Sequence, residues 1–300
     1  MGQSDYIVFL CYGYERVFHE CAYALLSLSR IHKIEELKNT EIWIYTDKPE
    51  WFKEFKDCPL PLNYRQVDEA TIKNLRGTID FVHRVKIEVL KDITCTKEGN
   101  ILYVDTDVVF ANRIEKIFED IAAGKLYMHI RESKVSDKAN PILCKLSNYI
   151  EGAQLKLNGK PLNEMDMWNA GVLGFNTRHK QILEEVLTFT DREYPKFPKH
   201  VVEQFAFSVY FQDKDDIKAA SPYLFHYWNL KEAGSVLSSF FHHFKNKSWQ
   251  ELVHYSALIQ MENLMQEKLV FYSNRRISGI IAGKKWEPHS YNWQELMKQL

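Results

Sequence analysis

Two aspartates one residue apart, Asp105 and Asp107, sit within an otherwise apolar run, Ile101-Leu102-Tyr103-Val104-Asp105-Thr106-Asp107-Val108-Val109-Phe110. Read as one strand, the run has a period of two that sends both carboxylates to the same side. Adjacent carboxylates repel unless a cation lies between them, and hard oxygen ligands favour Mg²⁺ or Mn²⁺ over softer metals. Such ions often complete their shells with phosphate oxygens. The same pair also suits the end of a strand and the start of a turn, so the motif alone leaves both readings open.

The elements that must position this pair alternate strand and helix. Residues 6–12 read as a buried strand closed by Gly13, and within 16–30 Phe18, Cys21, Ala22, Leu25 and Leu28 form one helical face. Residues 42–46 and 62–67 read as further strands. Residues 80–93 read as a helix with Val82, Val85, Val89, Leu90 and Ile93 along its stripe, and Arg84 and Lys86 off its centre. Beyond the aspartates the pattern predicts a helix over 113–123, a strand over 126–130, a loop over 131–140 and a strand over 170–175. Helices over 181–194 and 200–211 and a strand over 223–227 follow, and the last 65 residues are mainly helical. The expected fold class is α/β, a mixed, mostly parallel sheet flanked by helices, with residues 1–235 as the main unit and 236–300 as a helical C-terminal extension. In such a sheet, ligands bind outside the carboxyl ends of the strands, where the aspartate pair would lie.

Composition narrows the classes. The 300 residues are 45% hydrophobic and 26% charged with 12 Gly and 9 Pro, which excludes disorder as the main state. Basic and acidic residues balance at 39 against 40, so no global field draws the chain to nucleic acid. The five cysteines form no Cys-x-x-Cys, which argues against a disulfide framework or thiolate zinc site and fits a reducing compartment. The N-terminal residues carry no basic stretch of a signal peptide, and no apolar run reaches 18 residues, so a cytoplasmic location is expected. Aromatic residues are 14% of the chain, enough that some rings are expected to stack on a ligand.

The frame around Asp105 and Asp107, together with Trp168-Asn169-Ala170-Gly171-Val172-Leu173-Gly174-Phe175-Asn176, resembles the nucleotide-sugar glycosyltransferases of the GT-A fold, and most closely the family 8 (glycogenin and galactosyltransferase-like) group. Arg84-Val85-Lys86, Glu203-Gln204 and His226 in Phe225-His226-Tyr227-Trp228-Asn229-Leu230-Lys231 are further matches in the family's order, spanning roughly residues 5–232. The resemblance implies a GT-A, Rossmann-like sheet and a divalent metal, Mn²⁺ or Mg²⁺, ligated by Asp105, Asp107 and His226. That metal would hold the diphosphate of a nucleotide-sugar donor, a UDP-sugar. It also implies donor contacts from Thr106 and Lys231, although the Lys-Pro-Trp that follows a glycine in the family is absent here. Arg84 and Lys86 would bind the diphosphate or a sugar hydroxyl, or be solvated charges on a helix face. Asn169 would hydrogen-bond the donor sugar, and Gln204 with Glu203 would stabilise the reacting centre in a reaction that retains configuration. Tyr12 and Tyr14 would stack on uracil with Asp47 beside the nucleoside, or else be a core ring and a surface ring. Asp166 would touch a sugar or simply belong to a loop.

The implied partners are the donor and a carbohydrate, glycolipid or glycoprotein acceptor, not nucleic acid. Residues 268–300 interleave Lys268, Arg275, Arg276, Lys284, Lys285 and Lys298 with Phe271, Tyr272, Trp286, Tyr291 and Trp293, a composition that suits either a helical cap or peripheral contact with an anionic membrane. Two other readings compete: a glycosyltransferase-like module that binds without turnover, and a haloacid-dehalogenase-type phosphatase with Asp105 as nucleophile. The second usually carries its motif near the N-terminus, and here the pair is followed by two valines.

Overall fold

The computed structural model of the chain describes residues 4–55, 57–274 and 283–299. Arg275 and Arg276 of the basic aromatic segment lie outside the described residues.

Strands β1 (Ser4–Cys11), β2 (Thr40–Thr46), β3 (Leu62–Gln66) and β4 (Gly99–Val104) pair in parallel in the order β3-β2-β1-β4. Strand β4 is buried on both faces throughout, as a central parallel strand must be. Helices α1 (Glu15–Ile31), α2 (Pro49–Phe52), α3 (Glu69–Leu75) and α4 (Arg84–Thr96) link these strands. Helix α4 begins at Arg84 rather than at residue 80, because Asp80 has φ +47° and Asp80–His83 forms turns instead.

The run 101–110 is not one strand. After Val104 the chain turns through Asp105, Thr106 and Asp107, and β5 (Val108–Phe110) leaves the main sheet. Helix α5 (Glu115–Ala122) leads into β6 (Leu126–Met128). The polar stretch expected as a loop contains β7 (Arg131–Lys134), and α6 (Pro141–Ala153) follows it, capped by Asn140 on the amides of Ile142 and Leu143. A small hairpin of β8 (Lys156–Leu157) and β9 (Lys160–Pro161) precedes β10 (Asp166–Trp168), which pairs with β7. Strand β11 (Val172–Asn176) then inserts between β4 and β6, antiparallel to both.

Helices α7 (Gln181–Glu193) and α8 (Val201–Lys214) cover one face. Strand β12 (Ile217–Ala219) extends the sheet beside β6, and β13 (Leu224–His226) pairs with β5. Among the described residues the main sheet has seven strands in the order β12-β6-β11-β4-β1-β2-β3, with β11 the one reversed member. The expected mixed, mostly parallel architecture is therefore the one observed.

Helices α9 (Ala233–His243), α10 (Trp249–Ser256) and α11 (Met261–Asn274) follow. Val236, Leu237, Phe240, Trp249 and Leu264 lie in one core with Ile7, Phe9, Leu25 and Ile44, so the C-terminal helices share the interior of the sheet's α1 side. The opposite face buries Val85, Leu90, Phe175, Val186 and Phe205 in a second core.

Candidate metal centre

Two ladders deliver the candidate ligands to one point. The register of β11 on β4 sets Val172 opposite Val104, and the Asp105 amide continues that pairing by donating to the Gly171 carbonyl at 2.8 Å. The register of β13 on β5 sets His226 opposite Val108, and the Tyr227 amide donates to the Asp107 carbonyl at 3.0 Å. Asp105, Asp107 and His226 each bring a ligand atom within 4.8 Å of the other two. A turn between two sheets, rather than the alternation of one strand, thus brings the carboxylates together.

The Nδ1 proton of His226 follows from its neighbours. Asn169 Oδ1 accepts the Gly171 amide at 3.0 Å, which fixes that atom as oxygen, and it also faces His226 Nδ1 at 2.8 Å. Nδ1 must therefore carry a proton, and Nε2 faces Asp107 Oδ1 at 3.0 Å. At that distance a proton or a metal ion lies between the two atoms. A histidine whose far nitrogen is held by a second residue, beside two carboxylates, is a donor set that fits Mn²⁺ or Mg²⁺. Gly171 makes the arrangement possible, since a Cβ there would lie 2.2 Å from the His226 ring.

Charges frame the cluster. Burial works against ionisation of Asp107, yet His226 and Lys231 hold its pKa at about 2. Lys231 Nζ lies 3.7 Å from Asp107 Oδ2 and its side chain is largely exposed, so it reaches the site from the solvent side. Tyr103 donates its hydroxyl to Asp105 Oδ1 at 2.7 Å. Lys86 is buried, not solvated, and its Nζ reaches Asp105 at 3.3 Å, the Ala170 carbonyl at 3.0 Å and Glu203 at 3.4 Å. Burial opposes the Lys86 charge, but Asp105 and Glu203 raise its pKa. Burial lifts Glu203 to about 7, with Lys86 pulling down and Asp105 adding to the rise. Gln204 is half-buried beside it.

The remaining expected site residues divide. Tyr12, Tyr14 and Asp47 gather at the carboxyl ends of β1 and β2, where Asp47 accepts the amide of Gly13, a glycine with φ +89°. Tyr14 is 83% exposed and Tyr12 half-buried. Thr106 is buried and directs its hydroxyl to Glu20. Asp166 is paired with Arg131 at 2.7 Å. The Arg84 guanidinium pairs with Asp191 at 2.7 Å, Glu88 at 2.9 Å and the Leu75 carbonyl at 2.6 Å.

Tyr103, Glu20 and His129 were not singled out by sequence. Tyr103 carried a signal, since it precedes Asp105 by two and shares its face of the chain. His129 is buried against His226, with ring centroids 5.3 Å apart, and its Nε2 donates to the Leu224 carbonyl at 3.1 Å. Burial lowers its pKa to about 4, with His226 adding to the fall. The native state therefore binds this proton less readily than the unfolded chain, and stability is lost as pH falls from 6.5 toward 4. The stability advantage of the parent over a His129→Phe variant should shrink by about 2 kcal/mol between pH 7.5 and pH 5, read from urea unfolding midpoints.

A second group, His32, Glu36 and Glu115, lies at the other end of the sheet. There His32 Nε2 accepts the Ile114 amide at 3.3 Å, so Nδ1 is protonated and faces the two carboxylates at 3.8 and 3.6 Å. Arg113 pairs with both acids, and the group is an ion-pair network rather than a metal site.

No family model and no curated protein sequence matches the chain. Solved structures similar in fold include the glycosyltransferase GlyE of Streptococcus pneumoniae TIGR4, at 14% identity and TM-score 0.47, covering 91% of this chain and 64% of that one. The chain thus spans slightly less than two thirds of the length of that protein. Mouse xyloside xylosyltransferase 1 in its apo form matches at 13% identity and TM-score 0.49, covering 72% and 84%. The galactosyltransferase LgtC, solved with donor and acceptor sugar analogs, matches at 12% identity and TM-score 0.44, covering 68% and 70%.

Proposed function

We propose that the chain is a metal-dependent glycosyltransferase that moves a sugar from a nucleotide-sugar donor, a UDP-sugar, to a glycan, glycolipid or glycoprotein acceptor with retention of configuration. The observation that carries this reading is the convergence of Asp105, Asp107 and His226 at the carboxyl ends of the sheet. When bound there, a divalent ion supplies charge neutralisation for the departing diphosphate.

The chain's own groups do the rest. Lys231 is placed to bond a phosphate oxygen, and its exposed stem lets it follow the leaving group. Lys86, fixed by Asp105, Glu203 and the Ala170 carbonyl, presents a pre-organised positive charge from beneath the site without needing to reorient. Gln204 offers an amide oxygen to positive charge developing at the anomeric carbon, and Asn169 keeps both the His226 ring and the Gly171 amide in place while the sugar sits above them. Tyr14 and Asp47 suit the nucleoside, one by its free ring face and one as a hydrogen-bond acceptor. Trp228, 39% exposed and 5.1 Å from the His226 ring, offers an acceptor sugar an aromatic face at the mouth of the site.

Among the described residues no helix is long and apolar enough to cross a membrane. Of the aromatic residues of the C-terminal segment, Trp286 and Trp293 are buried in the core on the α1 side with Phe271 and Tyr291 packed against it, which supports a helical cap rather than a membrane contact.

Thermal unfolding with UDP, Mn²⁺ and both together tests the assignment. The expected result is a rise in midpoint with the pair that exceeds the sum of the separate rises, because ligand binding to the native state stabilises it by mass action. No response to UDP, ADP, GDP or CDP with Mn²⁺ would refute it. Release of free sugar from UDP-sugars separates an enzyme from a module that only binds.

A further inference from the structure

We infer that Glu20 is a positioning residue for the metal-binding turn: from α1, its carboxylate holds the Thr106 hydroxyl and thereby fixes the backbone that brings Asp105 and Asp107 together. The inference rests on the metal reading of the site.

Glu20 lies in a stretch of α1, residues 18–28, that is buried all round, and it is itself 6% exposed. A carboxylate in such a place is costly unless both oxygens have partners. One oxygen, Oε2, lies 3.4 Å from the hydroxyl of Thr106, the residue between the two aspartates, and Thr106 is equally buried. The other, Oε1, lies 3.3 Å from Arg16 Nε, one turn earlier on the same helix. Arg16 is held in turn by the start of α9: a Cβ on Gly234 would lie 2.5 Å from Arg16 Cδ. Had Glu20 served only to pair with the more exposed Arg16, it could have remained at the surface with it. Instead it points inward at the turn.

Helix α1 grips the same segment a second time. Ser27 Oγ accepts the amide of Phe110 at 2.9 Å, so α1 holds the chain both at the turn and at the end of β5. Without these anchors, the backbone ties between β4 and β5 among the described residues are those of Asp105 N–H, to Gly171, and of Asp107 C=O, to Tyr227. The peptide between them would be free to rotate, and the Asp105 and Asp107 carboxylates would spend less time converged. Residues that orient metal ligands in this way are typically worth about 10- to 100-fold in metal affinity.

The test is Mn²⁺ binding by calorimetry, with and without UDP, on Glu20→Ala, Glu20→Gln, Thr106→Val and the Glu20→Ala/Thr106→Val double variant, each checked for a cooperative urea transition. We expect Glu20→Ala and Thr106→Val each to weaken Mn²⁺ by about tenfold or more. The double variant should be no weaker than the worse single, since both remove one contact. Glu20→Gln keeps an acceptor for Thr106 and should stay within about threefold of the parent, a rescue that mere loss of packing or of charge would not give. Parent-like Mn²⁺ binding by Glu20→Ala, or losses that multiply in the double variant, would overturn the inference while leaving the metal site standing. If Glu20→Ala does not fold, Thr106→Val against Glu20→Gln decides the same question. A parent that binds no Mn²⁺ removes the metal reading and the inference with it.

Discussion

Asp107→Asn should lose Mn²⁺-linked UDP binding together with transfer activity by on the order of 10³-fold or more, and should lower the stability of the metal-free fold. The two effects have one cause. In the parent, Asp107 Oδ1 lies 3.0 Å from His226 Nε2, and, although burial works against it, His226 and Lys231 hold the carboxylate ionised. An asparagine amide is neutral, so the metal-free fold loses that pairing. The same substitution removes an anionic ligand. Calorimetric titration with Mn²⁺ and UDP, set beside thermal unfolding of the metal-free protein, reads both effects. Unchanged metal affinity would mean that the cluster holds a proton and not a metal.

Lys86→Met should cost stability more than any other single change at the site, about 3 to 5 kcal/mol at pH 8. Lys86 and Glu203 are both buried, and the lysine also bonds Asp105 and the Ala170 carbonyl. Methionine matches the stem but removes the ammonium that pairs with the buried Glu203 carboxylate. The loss should be smaller at pH 5. Glu203 already titrates near 7 with Lys86 beside it, and without Lys86 its pKa rises further, so at pH 5 the group is neutral in the fold. Lys86→Met/Glu203→Leu should recover most of the lost stability while remaining inactive. Urea unfolding at the two pH values measures this; a pH-independent loss would place the cost in packing rather than in the stranded charge.

The layered α/β plan was legible because β1, β2 and β4 are each short, mostly apolar runs set off by polar or turn residues. What periodicity could not show was the break after Val104. The apolar residues on both sides of the aspartates read as one strand, and only the partners of Val108–Phe110, more than a hundred residues later, reveal a second sheet. Helix α6 carried its own signals, Asn140 as cap and Pro141 in the first turn, but its polar flank obscured them. Strands β7 and β12 were not legible for a different reason: Arg131-Glu132-Ser133-Lys134 and Ile217-Lys218-Ala219 owe their conformation to the strands beside them, not to their own pattern.

At the site, residue types pointed to the aspartates, and the order of motifs pointed to His226 and Glu203-Gln204. Arg84 and Lys86 show the limit of that route. They lie two apart on α4, and only the fold determines that Lys86 turns inward to Asp105 while Arg84 turns to Asp191. Glu20 was hidden because a lone acid within an apolar helical face looks like an interruption of the pattern rather than a part of the site.

The separation in sequence of the groups that meet at the turn also bears on when the site comes into being. Asp107 and His226 are 119 residues apart, and Asn169 and His226 57 apart, so closing the cluster requires most of the chain to be arranged first. Loop-closure entropy sets such long-range contacts late in folding. Metal competence should thus be among the last properties acquired by a refolding or nascent chain, and a Mn²⁺ signal would serve as a clock for completion of the fold rather than for its collapse.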